Sequence, residues 1–421
     1  MREKFIAPNL YSYQKNFAML NLWFPFRGSG VFTMFRKLLF VLLLTTIFSP
    51  VIAQHSNRLR ISLITCGPGD EEVWEVFGHT GIRVVDSDAH TDRVYNYGTF
   101  DFGPDFELQF MRGKLLYCVA IEDFNGFMQV YVEAGRSVEE QVLLLDTLQR
   151  EHFYEYLQWN AEPENKYYKY DQFFDNCATR IRDIFPKPQV FGKAFRFGRA
   201  IQPEVRLSFR DIINSYFYRD HWTRLGVNIL LGSRIDQVMS NTDIMFLPDY
   251  LRDGIKSATV NGRRISTDPK LILPGSKMGP AGINGPFWVM MFVALLTIAG
   301  LSVKKLRILG RIMSSLLLFV SGLLGILIIC MWFGTDHQGC ADNYNLLWCL
   351  PTNLIIAFFK PKGRGRYALI CILLLLLSLA LHIFKVQCLT LLELSPVFLS
   401  LLFIYGSIYR NSKIKTSLSN A

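Results

Sequence analysis

Residues 171–183 read DQFFDNCATRIRD, and this stretch places a cysteine at the start of a short helix. Asp175 and Asn176 precede Cys177, and both residue types cap helices well, so the run CATRIRDIF is predicted to be helical. The first turn of a helix offers unpaired backbone N–H groups and the positive end of the helix dipole. These features lower the pKa of a thiol and can hold an oxyanion, so Cys177 is the candidate nucleophile.

A nucleophilic cysteine needs a base, and the candidate is His79, the first residue of the strand-like run HTGIRVV. A polar turn and a second strand-like run, RVYNYGTF at 93–100, follow it, so the two runs are predicted to form a hairpin. Asn96 then lies across the hairpin from His79 and is the candidate to orient the imidazole. Strand parity is not fixed to one residue, so three other side chains stay open for this role: Tyr95, Tyr97 and His90. The alternative interpretation is a buried free cysteine and a core histidine.

The patterns around these runs predict an α+β domain over residues 54–266. Strands and helices alternate along it, with strands predicted at 59–66 and 115–121 and helices at 106–114, 124–133 and 138–157. The dipeptide Asn261-Gly262 predicts a type I′ hairpin turn. Residues 267–286 are rich in Pro and Gly and are predicted to be a linker.

The segment before this domain has the pattern of an export signal. Residues 34–53, MFRKLLFVLLLTTIFSPVIA, have a basic start, an apolar centre and a small-residue cleavage site. Residues 1–33 show no clear periodicity, and we interpret them as an extension caused by start-site misassignment. The alternative is an uncleaved N-terminal anchor. In either case the following domain is exported.

After residue 286 the apolar runs predict a helical membrane domain over 287–408. We predict five spans, of which the third is short and interrupted by Pro351: about 287–303, 312–333, 345–359, 367–384 and 391–408. Basic loops alternate with a polar loop, which puts the exported domain and the tail, 409–421, on opposite sides of the membrane. The formal net charge of +10 falls largely in these loops and the tail, so it does not indicate nucleic-acid binding.

Eight cysteines are scattered along the chain without a CxxC pair or a zinc-site spacing, so no metal or other cofactor is predicted. An exported domain meets oxidants, and a disulfide between Cys66 and Cys118 would leave Cys177 free. The sequence does not assign this pairing. Cys66 also ends a strand before a Gly-rich turn, which makes it a rival nucleophile, although a structural role is the simpler interpretation.

A strand that begins with His is followed by a further strand and then by a helix that begins Asn-Cys. This order resembles the circularly permuted papain-like arrangement of NlpC-like peptidases and lecithin retinol acyltransferase. Longer motifs resemble the Lnb-type lipoprotein N-acyltransferases: TCGPGDEEVWEVFGHTGIRV, NYGTFDF, FMRGK, DNCATRIRD, MFLPDYL and TDHQGCADNYNLLW. The resemblance covers about residues 59–408. It implies a permuted papain-like α+β domain in the periplasm, followed by an all-α multi-pass domain in the inner membrane, with a cytoplasmic C-terminus.

The resemblance also implies a reaction: acyl transfer from a phospholipid to the α-amine of a lipoprotein's diacylglyceryl-cysteine. Cys177 would carry the acyl chain as a thioester, His79 would be the base, and Asn96 would orient it. The partners are then a phospholipid donor, a lipoprotein acceptor and the membrane.

Four further residues are candidates for contacts with lipid headgroups. Arg83 and Arg180 have the charge to meet a phosphate, although surface ion pairs are an equal interpretation. His337 and Asn343 lie in the polar loop 334–345, which faces the same compartment as Cys177. A metal site in that loop is a weak alternative.

Two other functions remain open. A membrane-anchored NlpC-like cysteine peptidase or amidase would cut peptidoglycan, but it needs only one anchor rather than five spans. A non-catalytic envelope scaffold would need neither His79 nor Cys177.

Overall fold

The computed structural model describes residues 58–69, 72, 75–100, 103, 105–276 and 279–419. The predicted extension, 1–33, and the predicted export signal, 34–53, lie outside the described residues. The described residues, from Arg58 onward, form one compact unit.

An antiparallel sheet of seven strands forms the centre of the first domain, in the order β10-β5-β1-β2-β3-β4-β6. Its strands are β1 (Leu59–Cys66), β2 (His79–Asp86), β3 (Thr91–Phe100), β4 (Leu116–Asp123), β5 (Val138–Val142), β6 (Tyr167–Lys169) and β10 (Lys270–Leu273). A second sheet of three short strands comprises β7 (Phe195–Arg196), β8 (Thr259–Val260) and β9 (Arg263–Arg264).

Seven helices of the described chain precede the membrane domain: α1 (Phe106–Met111), α2 (Phe124–Glu133), α3 (Thr147–Ala161), α4 (Cys177–Arg182), α5 (Phe209–Tyr216), α6 (His221–Leu230) and α7 (Pro248–Lys256). The main core lies between the sheet and the helices α3, α4 and α7. Its fully buried members include Ile61, Phe153, Ile181 and Leu251. The sheet therefore supplies His79, and the helix that packs on it supplies Cys177.

Local signals placed several elements correctly. Asn176 and Ser208 each accept a backbone N–H as helix N-caps, at the start of α4 and α5. Asn261 and Gly262 have φ of 50° and 77°, as the predicted type I′ turn requires, and they join β8 to β9. These features depend on neighbouring residues only, which is why the sequence could predict them.

Two predictions of secondary structure were wrong. The predicted helix 138–157 is instead β5 followed by α3, because Asp146 forms a capping box with Gln149 and starts the helix there. The predicted linker 267–286 contains β10, which pairs with β5 at the edge of the large sheet. Both errors concern strands whose pairing partners are distant in sequence.

The membrane domain contains α8 (Gly285–Ser302), α9 (Arg307–Gly334), α10 (Asn353–Phe358), α11 (Arg364–Ile383) and α12 (Leu391–Ser419). Within the described ranges, four stretches are helical, long and apolar enough to cross a membrane: 285–302, 304–334, 364–383 and 391–414. They correspond to four of the five predicted spans.

The third predicted span, 345–359, has a different form. Its helix α10 has six residues, a length of about 9 Å, whereas a bilayer core is about 30 Å thick. The segment nevertheless runs along α9 in the direction of the N-terminus of α9. Three contacts show this: Gly325 with Cys349, Gly322 with Leu354, and Ser315 Oγ with the Ala357 carbonyl. The chain thus crosses the bundle here as a broken segment, whose irregular backbone is packed against protein.

The two ends of the bundle are distinguished by side-chain contacts. Asn284 Nδ2 donates to Glu393 Oε1 at 2.9 Å, so α8 and α12 begin at the same end. Gly365 packs against Ser412 at the opposite end. The chain therefore leaves the bundle, along α12, at the end opposite to the sheet domain.

The sheet domain and the membrane domain are joined by a hydrogen-bonded seam. The Gly232 N–H donates to the Gly339 carbonyl at 2.9 Å, and the Ser233 N–H donates to the Asp342 carbonyl at 3.0 Å. A Cβ on Gly339 would lie 2.6 Å from the ring of Phe173, four residues before Cys177. The loop 335–345 thus packs directly on the stretch that leads to the candidate nucleophile.

Candidate active site

Cys177 is the first residue of α4, and its capping residue fixes this position. Asn176 Oδ1 accepts the Thr179 N–H at 3.0 Å, and Thr179 Oγ1 accepts the Asn176 N–H at 2.7 Å. Asn176 Nδ2 also donates to the carbonyl of Phe246 at 2.9 Å, which ties the helix start to the segment before α7. The Asn-Cys pair therefore holds the thiol at the N-terminus of the helix.

His79 is oriented by a chain of hydrogen bonds across three strands. Its Nε2 lies 2.7 Å from Asn96 Oδ1, and Asn96 Nδ2 donates to Glu122 Oε1 at 2.8 Å. A carboxylate only accepts, so Glu122 requires the amide nitrogen on its side and turns Oδ1 toward His79. A carbonyl oxygen also only accepts, so Nε2 carries the proton and Nδ1 is left as an acceptor.

Gly98 borders both the imidazole of His79 and the side chain of Cys177. A Cβ built on Gly98 would lie 3.1 Å from His79 Cε1, 3.8 Å from His79 Nδ1 and 3.8 Å from Cys177 Cβ. The Nδ1 side of the ring therefore faces the same small space as the cysteine. Gly98 has φ of 140°, a conformation that favours glycine, and it sits at a bulge in β3.

Strand register decides between the candidates to orient His79. Asn96 pairs with Gly81, two residues from His79, so Asn96 and His79 share one face of the sheet. Tyr95 and Tyr97 point to the other face and are buried in the main core. His90 lies in the turn between β2 and β3, at the far end of the strand from His79, about 23 Å away by strand length.

Burial shifts both pKa values toward the neutral forms. It raises the pKa of the Cys177 thiol to about 11, while backbone N–H groups of Thr80, Ala178 and Cys177 act in the opposite direction. Burial lowers the pKa of His79 to about 4, against the hydrogen bond that His79 donates to Asn96 Oδ1, which raises it. We predicted that the helix start lowers the pKa of the Cys177 thiol. Burial is the larger effect, so the pKa is raised overall and the prediction was wrong. At neutral pH the pair is a thiol and an uncharged imidazole.

Cys66 and Cys118 do not form the disulfide that the sequence left open, and each is a free thiol. They lie in β1 and β4, which are three strand spacings apart, or about 14 Å, whereas bonded cysteines have Cα atoms within about 7 Å. Cys66 is fully buried, and burial raises its pKa to about 12. Cys66 also pairs with His79 across the strands, and its thiol is inaccessible to a large substrate.

A cluster of tyrosines surrounds Cys177. Burial, and then the negative charge that Cys177 can carry, raises the pKa values of Tyr117, Tyr168 and Tyr170. Tyr117 stacks on Tyr170 with ring centroids 4.1 Å apart. The sequence has an aromatic segment at 167–170, YYKY, but the pattern predicts no role for it or for Tyr117, because their closeness to Cys177 depends on the pairing of β4 with β6.

The two arginines proposed for headgroup contacts have partners within the protein. Arg83 pairs with Asp92 at 2.5 Å and with Glu140 at 3.2 Å, and it lies over the ring of Phe124. Arg180 forms an ion pair with Asp175 and lies over Tyr168. Both Arg83 and Arg180 therefore form ion pairs within the protein, which was the equal interpretation of these residues.

The two loop residues also make protein contacts. His337 Nε2 lies 3.2 Å from the carbonyls of Phe110 and Met111. Asn343 is fully buried, and its Nδ2 donates to the carbonyls of Ile229 and Leu230, both at 2.9 Å. Asn343 therefore holds the seam between the domains. Across the described part of the chain, no group of three or more His, Cys, Asp or Glu side chains is placed to hold a metal ion.

Comparison with known proteins supports the same two-domain organisation. The family model described as the Lnb N-terminal periplasmic domain matches residues 53–203, and the one described as the Lnb transmembrane domain matches residues 283–416. No curated protein and no solved structure matches the chain. A periplasmic α+β domain and a helical membrane domain of one family thus occur here in one chain, which belongs to the Lnb family.

Proposed function

We propose that this protein is a lipoprotein N-acyltransferase, which moves an acyl chain from a phospholipid, through a thioester on Cys177, to the α-amine of a diacylglyceryl-cysteine. The observation that carries the proposal is the hydrogen-bonded chain from Glu122 through Asn96 to His79, whose ring borders Gly98 together with Cys177. It is the arrangement that a Cys–His nucleophile needs.

In the first half-reaction the Cys177 sulfur attacks the ester carbonyl of the phospholipid. Both groups are neutral at the start, so His79 Nδ1 takes the thiol proton as the C–S bond forms. The C–O bond of the tetrahedral intermediate then breaks, and His79 returns the proton to the leaving alkoxide. The products are a lysophospholipid and the acyl thioester.

In the second half-reaction the free α-amine of the lipoprotein attacks the thioester carbonyl. His79 Nδ1 takes a proton from the amine as the C–N bond forms, and the C–S bond then breaks. The proton passes from His79 to the departing sulfur. An amide is formed, the thiol is restored, and neither an oxidant nor a nucleotide is consumed.

Backbone N–H groups that face the sulfur support this chemistry. Those of Thr80, Ala178 and Cys177 itself act to lower the pKa of the thiol, so they lie close to the sulfur, next to which the carbonyl oxygen of the substrate would be placed. Fixed donors of this kind contribute about 3–4 kcal/mol each to transition-state stabilisation when they bind an oxyanion. Thr80 joins the set because it follows His79 on β2.

The place of the site fits two lipid-linked substrates. Phe173 contacts the loop 335–345, which begins directly after the membrane helix α9. Basic residues cluster at the other end of the bundle, in the turns 304–311 and 360–366, which under the positive-inside rule is the cytoplasmic end. We therefore infer an inner-membrane protein with the Cys177 domain in the periplasm and the C-terminus in the cytoplasm.

The test is mass spectrometry of the N-terminal peptide of a reporter lipoprotein from cells that lack this protein. The cells are complemented with wild type, with Cys177→Ser or with Cys66→Ser, a matched control at a buried thiol. We expect an N-linked acyl chain with wild type and Cys66→Ser, and a free α-amine with Cys177→Ser. Equal acylation in all strains, including the uncomplemented one, would overturn the proposal and direct attention to peptidoglycan cleavage.

A further inference from the structure

Helix α1 is unusual among the helices of the sheet domain because none of its residues is buried. Its side chains Leu108, Phe110 and Met111 are 41%, 45% and 58% exposed. Contiguous apolar side chains at a protein surface indicate a partner.

The position of α1 indicates what that partner is. The Asp336 N–H donates to the Arg112 carbonyl at 2.8 Å, and His337 Nε2 lies close to the carbonyls of Phe110 and Met111. Asp336 follows the last residue of the membrane helix α9 by only two positions. Phe333, near that helix end, is 73% exposed. Helix α1 is therefore held at the level where α9 leaves the bilayer.

Charges beside α1 fit a phospholipid surface. Arg112 and Lys114 follow the helix and are exposed, whereas Asp105 and Glu107 at its start are exposed acidic residues and Lys169 is paired with Asp336. Cationic side chains next to apolar ones are typical of segments that lie in a membrane interface.

Aromatic rings connect α1 with the site. Phe110 stacks with Phe106 at 6.3 Å, Phe106 with Phe100 at 5.1 Å, and Phe100 contacts Tyr117 at 5.1 Å between ring centroids. Tyr117 in turn stacks on Tyr170 beside Cys177. Phe100 lies two residues along β3 from Gly98, a distance of about 7 Å. We call Phe100, Phe106, Phe110, Tyr117 and Tyr170 the aromatic track.

We propose that α1 lies in the outer surface of the bilayer and that the aromatic track receives the acyl chain of a phospholipid and leads its ester toward Cys177. The insertion of α1 stands on the contacts above alone. The delivery of an acyl chain to Cys177 rests on the proposed function.

Site-specific photocrosslinking tests the insertion without any catalysis. A benzophenone amino acid replaces Phe110, or replaces Leu144, which is 53% exposed in the loop after β5, at the end of the sheet opposite to His79. The full-length protein is reconstituted in vesicles of phosphatidylethanolamine and phosphatidylglycerol and irradiated. We expect about tenfold more lipid adduct at position 110, because an interfacial helix buries its apolar face among acyl chains. Equal adduct at both positions would overturn the insertion of α1.

A kinetic comparison tests the aromatic track. The variant Phe110→Ser with Met111→Ser is assayed with vesicle phospholipid and with a short-chain, water-soluble acyl thioester. We expect kcat/KM to fall at least about tenfold for the phospholipid and to stay within about twofold for the soluble donor, since only the former enters from the bilayer. An equal fall for both donors would overturn the track. If wild type used neither donor, the proposed function would fail, while the crosslinking result would still decide the membrane contact.

Discussion

Glu122 Oε1 accepts a hydrogen bond from Asn96 Nδ2 at 2.8 Å, and this contact sets the direction of the amide whose Oδ1 lies 2.7 Å from His79 Nε2. Glu122 is only half-buried and touches neither the thiol nor the imidazole. It acts through Asn96, so in the proposed mechanism both are positioning residues.

Replacing Glu122 should therefore impair catalysis in a way that depends on hydrogen bonding. Glu122→Leu should lower kcat by about 10- to 100-fold, part of the roughly 10²–10⁴-fold that a positioned base contributes. Glu122→Gln should restore most of the rate, because its carbonyl oxygen still accepts from Asn96. Steady-state acyl transfer measures both variants.

The control for this series is Glu155→Leu, at an exposed glutamate on α3. It should keep the wild-type rate, and all three variants should unfold at similar temperatures. A Glu122→Gln variant as slow as Glu122→Leu would show that a fixed amide direction is not what Glu122 provides.

Gly98 should not tolerate a side chain. In Gly98→Ala the new Cβ would lie 3.1 Å from His79 Cε1. The alanine would also have to adopt a φ of 140°, which costs about 1–3 kcal/mol of backbone strain. We expect acyl transfer to fall more than about tenfold, since a base displaced from its line to the sulfur loses most of its effect. Activity and thermal unfolding are measured together.

Gly126→Ala is the matched comparison, because a Cβ there would meet nothing within 4 Å and Gly126 lies in α2. It should leave activity unchanged and be neutral or slightly stabilising. Full activity in Gly98→Ala would mean that the imidazole and the thiol do not meet beside Gly98.

The raised pKa of Cys177 and the lowered pKa of His79 predict a distinctive response to pH. A thiol with a pKa of about 11 stays protonated at neutral pH, so alkylation of Cys177 by iodoacetamide should be slow there and quicken only in alkaline solution. Acyl transfer should instead persist at neutral pH and decline only as the pH falls toward about 4, where His79 is protonated and ceases to be a base.

Peptide mass spectrometry after timed alkylation measures the Cys177 thiol, and glutathione added to the same solution serves as a freely accessible comparison thiol. Rapid alkylation of Cys177 at pH 5 to 6, as expected for a thiolate–imidazolium pair, would contradict the neutral pair.

The broken third crossing should depend on Asn353. This fully buried side chain accepts from Tyr367 at 2.7 Å and from Tyr405 at 2.9 Å, and its Nδ2 donates to Ser321 at 3.0 Å. Hydrogen bonds between membrane helices contribute about 0.6 kcal/mol each on average and about 1.7 kcal/mol at most, so Asn353→Leu, which removes three, should lower the free energy of unfolding by about 2–5 kcal/mol. Thermal unfolding in detergent measures this loss.

Asn411→Leu supplies the control, because Asn411 is exposed and bonds only weakly to Ser407 within its own helix, at 3.3 Å. Its unfolding temperature should match that of wild type. If Asn353→Leu also matched wild type, the polar contacts would not hold the irregular segment in place.

Features that depend on near neighbours could be predicted from the amino-acid sequence. Asn176 caps a helix at Cys177, Asn261-Gly262 makes a tight turn, and long apolar runs form membrane helices, because capping, turn geometry and hydropathy act over a few residues. Asn96 could also be predicted as the partner of His79, since the hairpin that joins β2 to β3 is local.

Features that depend on residues distant in sequence could not be predicted in this way, because they follow from the tertiary fold. Glu122 reaches Asn96 only through the register of β3 with β4, and β10 exists only because it pairs with β5. The pKa values of Cys177 and His79 follow mainly from burial. At Cys177 the backbone N–H groups of the helix start oppose this effect but are weaker than it. The third crossing can have an irregular backbone because neighbouring helices satisfy its polar groups. A hydropathy pattern does not reveal such contacts.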